Sequence, residues 1–381
     1  MANVLSVYDP LFYAQEAIML LYKVLGMAAR VYRGYDKSPQ EKGSIISIRK
    51  PGTFVAQNAP ASADQDIKAS EVQIALDNWK EVTFGLTDKE LTFTKDDIIK
   101  EHIEPAAFAV ANAIEETLTA LYADIPWGYT NSGATAVDDI IQPRAIMFEN
   151  AAPVDDGRVH LMVNGTKEAG FLGLQAFSQY QGAGPVGVET QMRGTLGFKF
   201  GVEVFASQKV RSHVAGTIND LALQVLGATL KGATTISLDA VDGGVTGSLK
   251  KGDTFVIAGN TQRYAVTADI NASGNAFTGV GITPPLAQDH ADNDAVTVYA
   301  TSHVANLMFH RNAFALAMAP LSEIGKQVSA AKIETITDKH SGLSLRVTMW
   351  YDENNSKVKI RIDALWGAKT LDPNLAVRLR V

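Results

Sequence analysis

Cysteine is absent from this sequence of 381 residues, and so is any long apolar run. The lack of cysteine excludes disulfides, thiolate metal sites and cysteine nucleophiles, and it is typical of proteins that work in a reducing cytoplasm. No apolar run approaches the ~18 residues that suggest a membrane-spanning helix, and Asp9 lies where a signal peptide has a basic leader. We therefore expect a protein that is neither secreted nor embedded in a membrane.

Basic residues are also few for a protein that grips nucleic acid. Lys and Arg number 34 against 41 Asp and Glu, which gives a net charge of -7. Because affinity for a phosphate backbone comes mainly from clustered Lys and Arg, this balance opposes strong non-specific binding of DNA or RNA. The hydrophobic share of 46% and charged share of 20% are those of an ordinary globular protein. The length suffices for two or more cores.

Catalytic signatures are missing as well. The histidines are scattered, and neither H-E-x-x-H, G-x-S-x-G nor a P-loop occurs. The spacing G-x-G-x-x-G occurs at Gly182, Gly184 and Gly187, but Pro185 interrupts it. No strand pattern precedes it, and the following residues lead toward a strand instead of opening the helix that a dinucleotide site needs. We interpret this stretch as a loop, and we expect no catalytic residue and no cofactor.

The run QDHADNDA is the best candidate for a metal site. Asp289, His290, Asp292 and Asp294 offer oxygen and nitrogen ligands. The run lacks the glycine and the distal glutamate of a calcium loop, so a solvated turn is the favoured interpretation and we expect no metal. The alternative is an acidic contact with a basic residue of a partner subunit.

Helical patterns occur in two places. Residues 10–30 have an apolar face, which would dock on the chain's own domain or on a neighbour. A second, longer helix begins near Pro105, which suits a first turn, and ends before Pro126 and Gly128. Its apolar face is predicted to comprise Phe108, Ala111, Ile114, Leu118 and Leu121.

Strand patterns dominate elsewhere. SIISIRK and VQIAL predict two strands of a projecting arm, which has little core of its own and needs another surface, such as another subunit. RVHLMVN predicts a strand, and FKFGVEVFAS predicts another with Phe198, Phe200, Val202 and Val204 on one face. SHVAGTINDLALQVLGA is mostly apolar and is predicted to be helical in part. LSLRVTMWYDENNSKVKIRIDALWG predicts a long hairpin that turns at DENNS, with Leu345, Val347, Met349 and Tyr351 on one face.

The composition shifts between residues 229 and 301. Short strand patterns alternate there with turn signals such as VDGG and ASGN, which predicts a small β-barrel or sandwich. The earlier pattern resumes at residue 303, as an inserted domain would require.

The segment LMFHRNAFALAMAPL contains one histidine and one arginine in an apolar run. LMF is interpreted as a strand end, Asn312 as the cap of a short helix over AFALAMA, and Pro320 as its stop. His310 and Arg311 then lie at a corner between strand and helix. We expect His310 to be a hydrogen-bonded structural residue and not a ligand or a base.

This order of elements resembles the major capsid protein fold of tailed bacteriophages, which encapsulins share. The stretches RVHLMVN, GTLGFKFGVEVFASQKV, LMFHRNAFALAMAPL and WGAKTLDPNLAVRLRV are similar to those of short-tailed-phage coat proteins with an inserted domain. The resemblance spans essentially the whole chain. Each stretch is a packing pattern and not a catalytic signature.

The resemblance implies an α+β fold with five parts. These are an N-terminal arm (1–43), an extended loop (44–86), a peripheral domain with the spine helix and long β hairpin (87–128 and 330–381), an axial domain (129–228 and 302–329) and an inserted β-barrel (229–301). In relatives, the inserted domain aids folding and can carry a long loop that bridges neighbouring capsomers. Here VDGGVTGSLKKGD is short, which puts that role in doubt.

The implied function is that of a shell protein and not of an enzyme. Copies would form the hexamers and pentamers of an icosahedral capsid, with a scaffolding protein and a portal, around double-stranded DNA that they do not read by sequence. The location would be the virion, after assembly in the bacterial cytoplasm, with no membrane partner. An encapsulin-type compartment is one alternative, and a soluble α/β enzyme with a barrel appendage is another.

Charged residues of the extended loop are the candidate contacts between subunits. They are Arg49, Lys50, Asp64, Asp66 and Glu71. A solvated loop is the open alternative for each of them, because an exposed ion pair is typically worth only about 0.2–1 kcal/mol.

Overall fold

The fold is mixed α+β, as predicted. The computed structural model of the chain describes residues 15, 17, 25–33, 45–50, 70–87, 102–131, 133–179, 185–219, 222–241, 244–321, 332–337 and 344–381. Its α-helices within these ranges are α1 (Glu104–Thr119), α2 (Asp138–Glu149), α3 (Gly165–Leu172), α4 (Gln175–Ser178) and α5 (Pro185–Arg193).

Strands make up most of the described elements. The first nine are β1 (Ile45–Lys50), β2 (Ser70–Ala75), β3 (Asn78–Thr87), β4 (Gly128–Thr130), β5 (Val159–Val163), β6 (Gly197–Lys199), β7 (Val202–Ala206), β8 (Arg211–His213) and β9 (Ala222–Val225). The next seven are β10 (Thr235–Ala240), β11 (Ser248–Leu249), β12 (Thr254–Ile257), β13 (Arg263–Val266), β14 (Ile270–Asn271), β15 (Ala276–Thr283) and β16 (Ala295–Tyr299). The last six are β17 (His303–His310), β18 (Phe314–Ala319), β19 (Lys332–Thr337), β20 (Ser344–Asp352), β21 (Lys357–Thr370) and β22 (Ala376–Arg380).

The chain divides into two compact units. The first draws on Met1–Ala29, Arg33–Glu115 and Ala315–Leu371, and the second on Arg30–Tyr32, Glu116–Phe314 and Asp372–Val381. The last ten residues thus belong with the second unit. The predicted helix over 10–30 lies mostly outside the described residues, but residues 25–30 form turns and not helix.

The long helix of the first unit is confirmed. Helix α1 begins at Glu104 and continues as a 3-10 helix to Asp124. Its buried side chains include Ala111, Ile114 and Leu118, as predicted, but Phe108 is half exposed. Ala107 is buried instead of Phe108. A helix advances about 100° per residue, so the buried face at this end of α1 lies one position earlier in the sequence.

The two strands of the arm are confirmed. Strands β1 and β2 pair antiparallel, from Ile45 opposite Ala75 to Lys50 opposite Ser70. The base of this hairpin is anchored because Ile46, Ile74 and Leu76 pack in one cluster, whose other buried members are Ala315 and Ala317. Residues 51–69 lie outside the described part of the chain.

The long hairpin is also confirmed. Strands β20 and β21 pair from Arg346 opposite Asp363 to Asp352 opposite Lys357, and the chain turns within DENNS. Leu345 and Val347 are buried as predicted, whereas Tyr351 near the turn is half exposed. Strand β21 also pairs with β3, and the sheet is completed by β18 and β19.

A seven-stranded sheet organises the second unit, with the order β4-β22-β17-β5-β7-β6 and β8 also paired to β17. The prediction of one strand over FKFGVEVFAS is wrong. The chain reverses between β6 and β7 at Phe200 and Gly201, which both have positive φ (52° and 79°). The glycine makes the left-handed turn inexpensive, and Phe200 is left exposed at its tip.

The inserted β-barrel is confirmed as a closed barrel of order β10-β15-β13-β12-β16-β9. Its core includes Phe255, Tyr264 and Phe277. The predicted helical character before it is wrong, because β9 (Ala222–Val225) closes the barrel, which therefore begins before residue 229. The short run LQV fits either structure by pattern alone, and pairing with β10 and β16 decides for the strand.

Two further helix assignments need correction. Phe314–Ala319 is strand β18 and not a helix, and it is buried on both faces, so it reads as a continuous apolar run without alternation. The interpretation of the glycine-rich stretch as a loop is wrong from Pro185 onward, where α5 begins. The element before it is the short helix α4, not the strand of a dinucleotide-binding fold.

Candidate functional site

A group of six ionisable side chains, four of them buried, lies in the second unit, where the barrel meets the seven-stranded sheet. We call it the polar junction. Its members are Tyr122, His213, Asp253, His303, Arg378 and Arg380. They come from the end of the long helix, from β8, from the barrel, and from β17 and β22 of the sheet.

Asp253 is the only carboxylate of the polar junction and is fully buried. Its Oδ2 accepts from the backbone N–H of Gly216 at 3.0 Å and of Lys250 at 2.8 Å. Gly216 belongs to the segment that leads into the barrel, and Lys250 to a barrel turn. A side chain at Gly216 would bring Cβ to 2.0 Å from the Ser248 carbonyl oxygen, so the approach requires glycine. Asp253 therefore ties the entering chain to the barrel.

A chain of hydrogen bonds runs through His213. The hydroxyl of Tyr122 lies 3.2 Å from Nδ1, and Nε2 lies 2.9 Å from Oδ1 of Asp253. Burial raises the pKa of Tyr122. The carboxylate oxygen of Asp253 can only accept, and in a neutral ring Nδ1 then accepts from the Tyr122 hydroxyl. Nε2 then carries the ring proton and donates to Asp253. His213 and Asp253 are both buried, so this Tyr-His-Asp series links the end of the long helix, β8 and the barrel inside the second unit.

Arg378 places a buried guanidinium beside this carboxylate. Its Nε donates to the carbonyl of Ile125 at 2.7 Å, Nη1 to that of Gly252 at 2.7 Å and Nη2 to that of Ala123 at 3.3 Å. Two of these carbonyls lie at the end of the long helix, where backbone acceptors lack helical partners, and the third belongs to the barrel. Burial lowers the pKa of Arg378 to about 9, so it stays charged at neutral pH.

Arg380 repeats the arrangement two residues later on the same strand. Its Nη2 donates to the hydroxyl of Thr254 in the barrel at 2.7 Å. A Cβ at Gly128 would lie 2.5 Å from the Arg380 Nε, so the guanidinium rests directly on the backbone of β4. Strand β22 thus joins the barrel to the sheet through two arginines on one face, as the period of a strand dictates.

His303 makes the junction sensitive to acid. Its Nδ1 donates to the carbonyl of Thr301 at 2.7 Å. Burial, together with the positive charges of Arg380 and Arg378, lowers its pKa from 6.5 to about 4. The unfolded chain therefore binds a proton at His303 below pH 6.5. The folded chain binds that proton only when the pH falls to about 4.

We expect the His303 contribution to stability to be complete above pH 6.5 and to be lost as pH falls toward 4. His303→Asn keeps an N–H donor for Thr301 but does not titrate. Urea unfolding midpoints at pH 7 and pH 4.5 should therefore fall less between the two values in the variant than in the parent chain. Equal losses would contradict this assignment.

His310 has the structural role expected of it. Its ring is buried, with Nε2 2.9 Å from Oδ2 of Asp156 and Nδ1 accepting from the backbone N–H of Asn312 at 3.2 Å. Nε2 therefore carries the proton. Burial alone would raise the pKa of Asp156. The hydrogen bonds from His310 and from the Arg158 backbone outweigh that effect and hold this pKa below its ordinary value. The prediction that Asn312 is a helix cap is wrong. His310 caps the 3-10 turn, and its ring accepts from the backbone N–H of Asn312.

The run QDHADNDA forms a turn of the barrel, as favoured. Asp289 accepts from the Lys231 N–H at 2.7 Å and Asp292 from the Gly227 N–H at 2.8 Å. Asp294 accepts from Ala291 at 3.0 Å and contacts His290 Nδ1 at 3.0 Å. Within the described ranges, no group of three or more such side chains is placed to hold a metal ion.

The candidate contact residues are placed in part. Asp64 and Asp66 lie outside the described residues. Arg49 is directly opposite Glu71, and Lys50 opposite Ser70, across the arm. Glu71 is exposed and accepts from the Gln73 amide at 2.8 Å. Glu71 therefore lies directly across the hairpin from Arg49 of its own chain and is also exposed to solvent.

The polar junction was missed by sequence reasoning. Its one visible signal is the ending AVRLRV, in which Arg378 and Arg380 alternate with apolar residues. Alternation normally places the polar residues in solvent, and here that face meets the barrel. The partner carboxylate lies far away in sequence, at residue 253.

Solved structures with similarity to this chain include phage shells. Mycobacterium phage Che8 has 13% identity over 93% of this chain and 90% of that chain, with a TM-score of 0.49. The mature capsid of bacteriophage PhiM1 has 10% identity over 92% and 87%, with a TM-score of 0.47. The virus-like particle from Pyrococcus furiosus has 9% identity over 96% and 97%, with a TM-score of 0.43.

No protein-family model and no curated protein matches this sequence. Because the identities and TM-scores of the similar structures are this low, the function proposed for the chain rests on its own architecture. None of the helices within the described ranges is long and apolar enough to cross a membrane.

Proposed function

We propose that this chain is the major capsid protein of a tailed bacteriophage, which self-assembles into an icosahedral shell around double-stranded DNA. The observation that carries the proposal is the order of the described elements. A two-stranded arm, a long helix, a mixed sheet, an inserted closed barrel and a long hairpin follow one another as the resemblance implies. We propose that residues 1–43 are the N-terminal arm and that residues 44–86, which contain the two-stranded arm, are the extended loop. The peripheral and axial domains are proposed for the ranges that the resemblance implies.

The hairpin formed by β1 and β2 supports assembly in particular. Strands β1 and β2 form a sheet of two strands, and within the described ranges no third strand pairs with them. Such a pair is marginal in water by itself, and here its base is anchored by buried side chains. A neighbouring subunit would supply the missing burial.

The chemistry of the buried charges supports a structural role. The Tyr-His-Asp series and the two arginines of the polar junction bond to each other, to backbone groups or, in the case of Arg380, to the hydroxyl of Thr254. These contacts stabilise one architecture. A shell protein repeats that architecture in many copies, and heterologous contacts close the shell.

The further partners belong to the same proposal. Hexamers and pentamers of the chain would assemble on a scaffolding protein around a portal in the bacterial cytoplasm, and the shell would be located in the virion. With a net charge of -7, the inner wall would hold DNA without sequence-specific contacts and without gripping it too tightly for release.

Electron microscopy of the purified protein, alone and with its scaffolding protein, tests the proposal. Closed shells that package double-stranded DNA are the expected result. A shell that encloses a protein cargo would favour the encapsulin-type alternative. A compact monomer under all assembly conditions would contradict both and leave the enzyme alternative.

The extended loop offers a prediction about assembly. We propose that Asp64, Asp66 and Glu71 pair with basic residues of a neighbour, and Arg49 and Lys50 with acidic ones. Asp64→Lys and Asp66→Lys should each lower the urea concentration at which assembled shells dissociate. Each pair is worth only about 0.2–1 kcal/mol, but a shell repeats it many times.

Glu353→Lys is the matched control, since Glu353 is exposed in the turn of the long hairpin and undergoes the same charge reversal. Its shells should dissociate as those of the parent chain do. Light scattering during a urea titration measures all three variants. Unchanged dissociation of the Asp64 and Asp66 variants would leave a solvated loop as the correct interpretation.

A further inference from the structure

Helix α2 carries an apolar stripe on the side that faces solvent. Asp139, Ile140, Pro143 and Met147 form its buried side. On the opposite side Ile141 and Phe148 are 42% and 65% exposed, and the exposed Ala145 lies between them. These three positions share one face because they are four and seven residues apart. An amphipathic helix with a single partner would carry polar residues there.

The turn between β6 and β7 extends this stripe. The backbone at Gly201 lies against Arg144, since a Cβ there would be 3.3 Å from the guanidinium Nε. Arg144 lies on α2 between Ile141 and Phe148. Beside Gly201, Phe200 is 44% exposed at the turn and Phe198 is 54% exposed on β6.

We propose that this surface, formed by Ile141, Ala145, Phe148, Phe198 and Phe200 and called here the α2 face, is a contact between two copies of this chain. The inference rests on the proposed function, which requires many copies. It adds the particular surface that they use.

The size of the α2 face fits a protein partner. At these exposures the large side chains leave roughly 400 Å² of apolar surface in water, given about 150–250 Å² for an aromatic residue. That is as large as the largest apolar patch on a typical monomer. It is also about half of the roughly 800 Å² that each partner contributes to a stable interface. The α2 face is therefore sized for the apolar centre of an interface.

Charge at the rim favours a second copy over nucleic acid. Asp138, Glu149 and Asp155 are exposed around the face, and Asp155 pairs with Arg144 at 2.5 Å. With three carboxylates against the two cations Arg144 and Lys199, these residues form no basic patch for a phosphate backbone. An apolar centre with a polar rim is the usual anatomy of a contact between proteins.

The absence of cysteine allows a direct test on the intact chain. Ala145→Cys introduces the only thiol, in the middle of the α2 face. Ser273→Cys is the matched control, because Ser273 is exposed in a turn of the barrel. We expect maleimide modification at position 145 to slow at least tenfold when the chain assembles, whereas the control thiol reacts at a similar rate in both states. Equal rates at position 145 would overturn the inference.

A second variant tests the energetic role. Phe148→Ser combined with Phe200→Ser should leave a folded subunit with an unchanged circular dichroism spectrum that no longer assembles in sedimentation velocity. Val241→Ser, which alters an equally exposed residue of the barrel, should assemble normally. Normal assembly of the double variant would overturn the inference and leave the proposed function intact.

The two proposals can fail separately. If the parent chain forms small closed oligomers but no shells, and the thiol at position 145 is protected in them, the α2 face stands as an interface and the shell function fails. A parent chain that remains monomeric under all conditions overturns both.

Discussion

Asp253→Ala is expected to lower the free energy of unfolding of the unassembled subunit by about 3–5 kcal/mol, the usual loss when one partner of a buried charged group is removed. The substitution leaves the N–H groups of Gly216 and Lys250 without their acceptor. It also removes the acceptor of His213 and a buried negative charge that interacts with Arg378. Urea denaturation followed by tryptophan fluorescence measures the change.

Asp269→Ala is the matched control in the same part of the barrel. Asp269 accepts from Lys250 Nζ at 2.7 Å and from the Lys251 N–H at 2.8 Å, but its side chain is largely in solvent. Its removal should therefore cost no more than about 1 kcal/mol, as for other surface pairs. If Asp253→Ala behaved like this control, the polar junction would not be the joint that holds the barrel.

Local patterns predicted those elements whose partners are near in sequence. The long hairpin alternates cleanly and turns at DENNS, so its two strands and their pairing followed from residues 344–370 alone. The barrel strands between turn signals were predicted for the same reason. Helix α1 has a long periodic stripe, and Phe108 at its first turns and Leu121 in the 3-10 extension were misplaced.

Errors arose where distant strands decide the structure. Phe314–Ala319 is apolar on both faces, a pattern that a buried strand and a buried helix share. The run LQV in β9 becomes a strand because β10 and β16 pair with it. In FKFGVEVFAS the alternation continued through a turn that only the positive φ of Phe200 and Gly201 reveals.

In the candidate site, too, contacts between residues that are distant in sequence were not predicted. His310 was recognised as structural because its surroundings in sequence are apolar, and its partner Asp156 was not identified. The polar junction joins Tyr122, His213, Asp253 and the last strand, which are brought together only by the tertiary fold. Nothing in the spacing of these residues indicates that they meet.

The second large effect is expected at Arg378. Its guanidinium bonds to the end of the long helix and to the barrel at once, through the carbonyls of Ala123, Ile125 and Gly252. A methionine has a similar length but no donor, so Arg378→Met would leave three buried carbonyls unpaired and would remove a buried cation that interacts with Asp253. A lysine would keep the charge but not the planar fork that reaches three acceptors.

We expect Arg378→Met to lower the free energy of unfolding by about 3–5 kcal/mol, and Arg378→Lys to lower it by a smaller amount. Arg311→Met is the control, since Arg311 is exposed, and it should change stability by less than about 0.5 kcal/mol. Limited proteolysis adds a readout specific to the joint. Residues 214–219, between β8 and the barrel, should be cleaved faster in Arg378→Met than in the parent chain, because the barrel loses its bond to β22. A destabilised variant whose cleavage in this segment is unchanged would show that Arg378 stabilises the sheet without holding the barrel to it.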